Sequence, residues 1–191
     1  GGVSEGPLLW YLNRATGLTL LVLLTASVVL GVLSTGSRPG RGLPVFVTQH
    51  LHRNVALLSV VALVVHVLTA VGDSFVDIRW WQALQPFGAS YEPLWLGLGA
   101  LSLDLIAVVV VTSALRTRLS HRAWRSVHLA SWAAWACALA HTLGIGTDVE
   151  NGRIWAVAPT AGCVLAVCLA AGLRLSRWQD PSPHVPAGRS T

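Results

Sequence analysis

Five apolar stretches, each about as long as a bilayer is thick, account for most of this 191-residue chain. They lie near Leu9–Leu33, Asn54–Val71, Leu94–Leu115, Trp124–Leu143 and Ile154–Leu173. At about 1.5 Å of rise per residue, roughly 20 apolar residues span a hydrocarbon core of about 30 Å. Turn-forming clusters separate them: Ser37-Arg38-Pro39-Gly40-Arg41-Gly42, Gln85-Pro86-Phe87-Gly88 and Gly144-Ile145-Gly146-Thr147-Asp148. Only 11% of residues are charged, 53% are apolar and the mean hydropathy is +0.62. A soluble domain carries about 25% charged residues, so a normal water-facing surface is excluded. Disorder is excluded for the same reason. The net charge of +5 hints at nucleic acid, but all 13 basic residues are Arg and they sit between the apolar runs. That pattern points to a membrane protein with no nucleic-acid partner.

The expected fold is all-α: a polytopic membrane helical bundle of five transmembrane helices. Residues 9–173 form the membrane domain and 174–191 a short cytoplasmic tail. Met is absent, so Gly1-Gly2 is read as a processing remnant. No positively charged segment of the signal-peptide kind precedes the first run.

Orientation follows from the arginines. The first loop carries Arg38, Arg41 and Arg53, the third Arg116, Arg118, Arg122 and Arg125, and the tail Arg174, Arg177 and Arg189. The alternate loops bear Asp73, Asp77 and Glu92, then Asp148 and Glu150. The positive-inside rule places the first and third loops and the C-terminus in the cytoplasm, and the N-terminus outside. An odd number of spans requires the same opposition of ends. Trp10, Trp80, Trp81, Trp95, Trp124, Trp155 and Trp178 fall near the expected interfaces, where indoles anchor. Trp132 and Trp135 fall inside the fourth span.

Four of the seven histidines lie in or at the edges of two spans. His52 and His66 are fourteen residues apart on the second, His128 and His141 thirteen apart on the fourth. An imidazole in hydrocarbon is unfavourable unless something satisfies it. Both spans run from cytoplasm to outside, so His52 and His128 share an inner level. His66 and His141 share a level about 20 Å further out. Two histidines at equal depth on neighbouring helices can supply both axial ligands of one haem iron. The other readings are interhelical hydrogen bonding and a proton relay. Fourteen residues return to within about 40° of the starting face, but thirteen leave His141 about 140° from His128 in an ideal helix. A bend, a local change of winding, or His128 at the helix mouth would reconcile them.

Leu51-His52-Arg53-Asn54, His66, Val127-His128-Leu129 and Leu139-Ala140-His141-Thr142 together resemble the ferric reductase-like transmembrane domain superfamily. That superfamily includes NADPH oxidases, ferric reductases and the haem subunit of bacterial methionine sulfoxide reductase systems. The likeness covers about Trp10 to Leu173 and is greatest to small bacterial members without a dehydrogenase domain. It implies two bis-histidine haems. The family often has six spans, and the pattern here reads as lacking the first. The tail is too short for flavin and nicotinamide domains, so the electron donor is expected to be a separate flavoprotein or a quinol.

His50 and His121 are the alternatives as inner ligands and are read as surface or interfacial residues, near a haem propionate. His184 gets no role. Arg14 lies inside the first span near the outer haem level. The resemblance places an Arg there too, and Arg14 is expected to meet an outer haem propionate or polarise the acceptor. The plainer reading is snorkelling to headgroups. Asp104, mid-span, is expected to pair with Arg14, bond a neighbouring hydroxyl, or hold a proton path. Trp132 and Trp135 read as packing beside a macrocycle, or as aids to electron passage. Cys137, Cys163 and Cys168 have no CxxC or CxxCH spacing and read as packing residues, so the haems are non-covalent and of b type. Small residues such as Gly97-Leu98-Gly99-Ala100 read as permitting close helix contact. The segment Gly72–Pro93, with Trp80-Trp81, reads as an interfacial lid over the outer haem, where an acceptor docks.

The sequence therefore predicts a dihaem b-type cytochrome of a bacterial inner membrane. It would carry single electrons from a cytoplasmic donor to an outer acceptor: ferric iron, oxygen or a protein. The alternatives are a quinol-linked haem anchor subunit of a larger redox complex, and a haem-free proton-relay channel or transporter.

Overall fold

The structure, a computed structural model, describes residues 8–34, 44–73, 80–82, 84–88 and 92–179, with side chains through Ser176. The Ser37–Gly42 turn with Arg38 and Arg41, Asp77, His184, Arg189 and the side chains of Arg177 and Trp178 lie outside the described residues.

Every regular element among the described residues is helical. Helix α1 spans Leu8–Ser34, α2 Val45–Gly72 and α3 Pro93–Ala114. A 3₁₀ turn at Arg116–Arg118 leads to α4 (His121–His128), α5 (Ala130–Ile145), the short α6 (Thr147–Glu150) and α7 (Ile154–Gln179). Local chemistry sets several starts. Pro93 opens α3, where its missing N–H is harmless. Ser120 caps α4 by accepting the N–H of Ala123 at 3.3 Å.

Among the described residues four helices are long and apolar enough to cross a membrane: α1, α2, α3 and α7 over Ile154–Ser176. The expected span Trp124–Leu143 is instead divided. Leu129 closes α4 through its N–H to the Arg125 carbonyl, and Trp132 N–H then bonds the Leu129 carbonyl three residues back at 3.1 Å. What remains, α5, has 16 residues, or about 24 Å of helix.

Helix α2 packs on α1, α5 on α3, and α7 and α5 both on α1. The core is built from Leu21, Trp135, Cys163 and Val167, flanked by Leu24, Val28, Trp132 and Leu139. Two buried hydrogen bonds fix α5 laterally. Trp135 Nε1 donates to the Thr25 hydroxyl of α1 at 2.8 Å, and the Ser102 hydroxyl of α3 donates to the Ala134 carbonyl at 2.9 Å. Outside this core the helices present apolar side chains, such as Leu57, Leu58, Val61 and Leu68 on α2. Such surface suits contact with lipid.

The segment before α3 folds back on that helix. Phe87, at φ 65°, lies so close to Gly97 that an added Cβ there would stand 2.7 Å from the Phe87 backbone nitrogen. Trp80 is exposed beyond it.

Candidate functional site

The structure brings the four span histidines together as two pairs. His52 and His128 have ring centroids 6.0 Å apart, and His66 and His141 have theirs 6.5 Å apart. The partners match those expected from the spacing. The thirteen-residue interval spans the break at Leu129: His128 ends α4 while His141 belongs to α5.

Helix–helix packing fixes each ring. His66 of α2 meets α1 near its N-terminal end, and His52 meets α1 near its C-terminal end. The hairpin α1–α2 is therefore antiparallel. His141 meets the start of α3 and His128 its end, so α3 and α5 form a second antiparallel hairpin. The two hairpins face each other through the paired imidazoles.

In every ring it is Nδ1 that has the outside partner. His52 Nδ1 lies 2.9 Å from the Ser27 carbonyl, His66 Nδ1 3.2 Å from the Asn13 carbonyl, and His141 Nδ1 2.8 Å from the Trp95 carbonyl. A carbonyl only accepts, so in these three rings Nδ1 carries the proton and donates it. Nε2 is then left with its lone pair, the form that binds metal. His128 Nδ1 has the Ser113 hydroxyl at 3.4 Å. No hydrogen bond joins ring to ring within either pair among the described residues.

The spacing suits a metal between the rings. A metal–imidazole bond of about 2.0 Å, with about 1.2 Å from that nitrogen to the ring centre on each side, separates two trans centroids by about 6.4 Å. The observed 6.0 and 6.5 Å bracket that value. Two trans nitrogen ligands, each with its other nitrogen held by a backbone or hydroxyl oxygen, fit the axial positions of a haem iron. Among the described residues no group of three or more His, Cys, Asp or Glu gathers to hold a bare metal ion.

Trp124 stacks on His128 at 5.0 Å between ring centres, with planes 26° apart, and its Nε1 is buried without a partner among the described residues. Exposed His121 lies beyond it, 5.8 Å from the Trp124 ring. His50 is exposed as well. Neither enters a pair. Near the His66–His141 pair, Asn13 Oδ1 is likewise buried without a partner among the described residues.

Arg14 forms an ion pair with Asp148 of α6, and its guanidinium also lies 4.0 Å over the Trp10 ring. The expected pairing with Asp104 is not made. Asp104 is half-buried on α3, and the only ion pair among the described residues is that of Arg14 with Asp148. The turn after α5 brings Asp148 to α1, a contact that no local pattern announces. The three cysteines are unpaired, and Cys163 belongs to the core.

Gly17, Gly31 and Ser113 escaped the sequence reading, and Gly99 was read only as a small packing residue; each abuts one ring of the two pairs. A signal for them exists. Gly17 and Gly31 are fourteen apart, as are His52 and His66, and Gly99 and Ser113 repeat that interval.

Compared with protein-family models, curated proteins and solved structures, the chain matches none.

Proposed function

We propose that this protein is a five-span b-type dihaem cytochrome that passes single electrons across a membrane. The observation that carries the proposal is the twofold occurrence of one geometry. Imidazoles stand at the separation two trans ligands need, with Nδ1 engaged elsewhere at both levels. A proton relay or plain interhelical bonding would instead bring ring nitrogens to about 3 Å of one another.

Bound haem supplies a reversible one-electron ferric–ferrous couple. The chain supplies the rest. His52 and His128 present Nε2 at one level, and His66 and His141 at the other. Carbonyls of Ser27, Asn13 and Trp95 hold three of these rings in one tautomer. Leu21, Trp135 and Val167 keep water from the region between the levels. Buried Trp124 Nε1 is a donor suited to a carboxylate beside the inner pair, and Asn13 offers a polar group beside the outer pair. In this proposal Arg14 is held near the outer pair by Asp148, and the Arg-bearing side faces a cytoplasmic flavoprotein or quinol donor. The ferric reductase-like resemblance, a bacterial inner membrane and an outer-side acceptor belong to the same proposal.

Purified full-length chain tests it. Haem extraction and redox titration should give two low-spin b-type haems per chain. His66→Ala should leave one. A haem-free wild type, or two haems retained in His66→Ala, would overturn the assignment.

A further inference from the structure

The three carbonyls that receive imidazole protons share a local setting. Asn13 is followed four residues later by Gly17, Ser27 by Gly31, and Trp95 by Gly99. Within an α-helix the N–H of a residue bonds the carbonyl four positions earlier. A side chain on a helix leans over the turn N-terminal to its own Cα. It therefore covers the very carbonyl its backbone N–H bonds. Glycine removes that cover, and the carbonyl's second lone pair becomes reachable from the neighbouring helix.

The space is used by the ligand rings themselves. A Cβ built on Gly99 would lie 2.7 Å from His141 Nδ1. One on Gly17 would lie 3.0 Å from His66 Cε1, and one on Gly31 3.5 Å from His52 Cε1. Glycines 162 and 172 on α7 have nothing within 4 Å. At the fourth place, fourteen residues after Gly99, stands Ser113, whose hydroxyl takes the role of the carbonyl for His128 at 3.4 Å.

We infer that Gly17, Gly31, Gly99 and Ser113 are positioning residues: each seats one axial histidine by exposing or supplying the oxygen that holds its Nδ1. The inference deepens the dihaem reading and rests on it. The same seat occurs twice along α1 and recurs along α3, so the hairpins α1–α2 and α3–α5 are built to one plan. The Nδ1–H bond to oxygen makes the imidazole a more basic ligand. A more basic ligand favours the ferric state and lowers the reduction potential. Histidine 128, with the longest of the four contacts, has the weakest such support.

Alanine variants of the full-length chain test the seats by haem content and by the two potentials. Gly99→Ala displaces His141 and should reduce haem from two per chain to one. Gly17→Ala should keep two haems with a raised potential at the outer centre. Gly162→Ala, whose methyl meets nothing within 4 Å, should match wild type. Ser113→Ala removes the hydroxyl without adding bulk, so two haems should remain with the inner potential raised. Alanine is otherwise the better helix former, and a plain packing role would lower stability at the crowded glycines without moving either potential. Unchanged content and potentials in Gly99→Ala, Gly17→Ala and Ser113→Ala would overturn the inference while leaving the dihaem reading intact. Equal haem loss in Gly162→Ala would overturn it too. If Gly99→Ala does not fold, the potentials of Gly17→Ala and Ser113→Ala decide. A wild type without haem would remove the underlying reading instead.

Discussion

Trp135 and Thr25 share a buried hydrogen bond of 2.8 Å that joins α5 to α1 between the two histidine levels. Thr25 already donates its own proton to the Leu21 carbonyl at 2.8 Å. Its oxygen is thus an acceptor that only the indole fills. Trp135→Phe should lower stability by about 1–3 kcal/mol, the cost of a buried polar atom left unmade. Trp135→Ala should cost about 3–5 kcal/mol, because a cavity is added. Thermal unfolding in detergent reads both. The Phe variant should keep two haems; losing one would place Trp135 in a ligand site rather than between the sites.

Ring orientation offers a spectroscopic check. The planes of His52 and His128 are 73° apart, and those of His66 and His141 80° apart. Nearly perpendicular axial rings leave the iron dπ orbitals close in energy. Both ferric centres should then give strongly anisotropic low-spin EPR signals. Two rhombic spectra of the kind produced by parallel rings would contradict the described ring planes.

Asp148 and Asp104 should separate cleanly. Asp148 holds Arg14, and both side chains are about four-fifths covered, at 18% and 20% exposure. Asp148→Asn should destabilise by about 1–2 kcal/mol, between the values for exposed and buried pairs. Asp104→Asn disturbs no ion pair among the described residues and should leave stability and haem content unchanged. Haem loss in Asp104→Asn would assign that carboxylate to a cofactor site.

Topology can be read with single cysteines. In a chain with Cys137, Cys163 and Cys168 replaced by Ala, Ser120→Cys lies before α4 and Asn151→Cys before α7, both at exposed positions. An impermeant thiol reagent added to intact cells should label Asn151→Cys and spare Ser120→Cys. The reverse pattern would invert the proposed orientation.

Helical content and the pairing of His52 with His128 and of His66 with His141 were legible in the sequence. Apolar run length and matched histidine intervals are properties of one dimension. The division of the fourth run was not, because nothing about Leu129 marks it: it is an ordinary helix former amid apolar neighbours. The angular mismatch of thirteen residues was the one hint. The partner of Arg14 was hidden for another reason. Asp148 lies 134 positions away, and the turn that returns it to α1 depends on how α5 and α7 pack. Gly99 was read as a packing residue. Its relation to His141 exists only across two helices, where a missing methyl is noticed by a neighbour and not by its own chain.

The joint at Leu129 puts His128 and His141 on separate helical segments. A change in the angle between those segments would re-aim His128 without turning His141. One centre could thus be retuned by evolution, or by design, while the other stays as it is. An unbroken helix would have coupled them like two keys cut on one shaft.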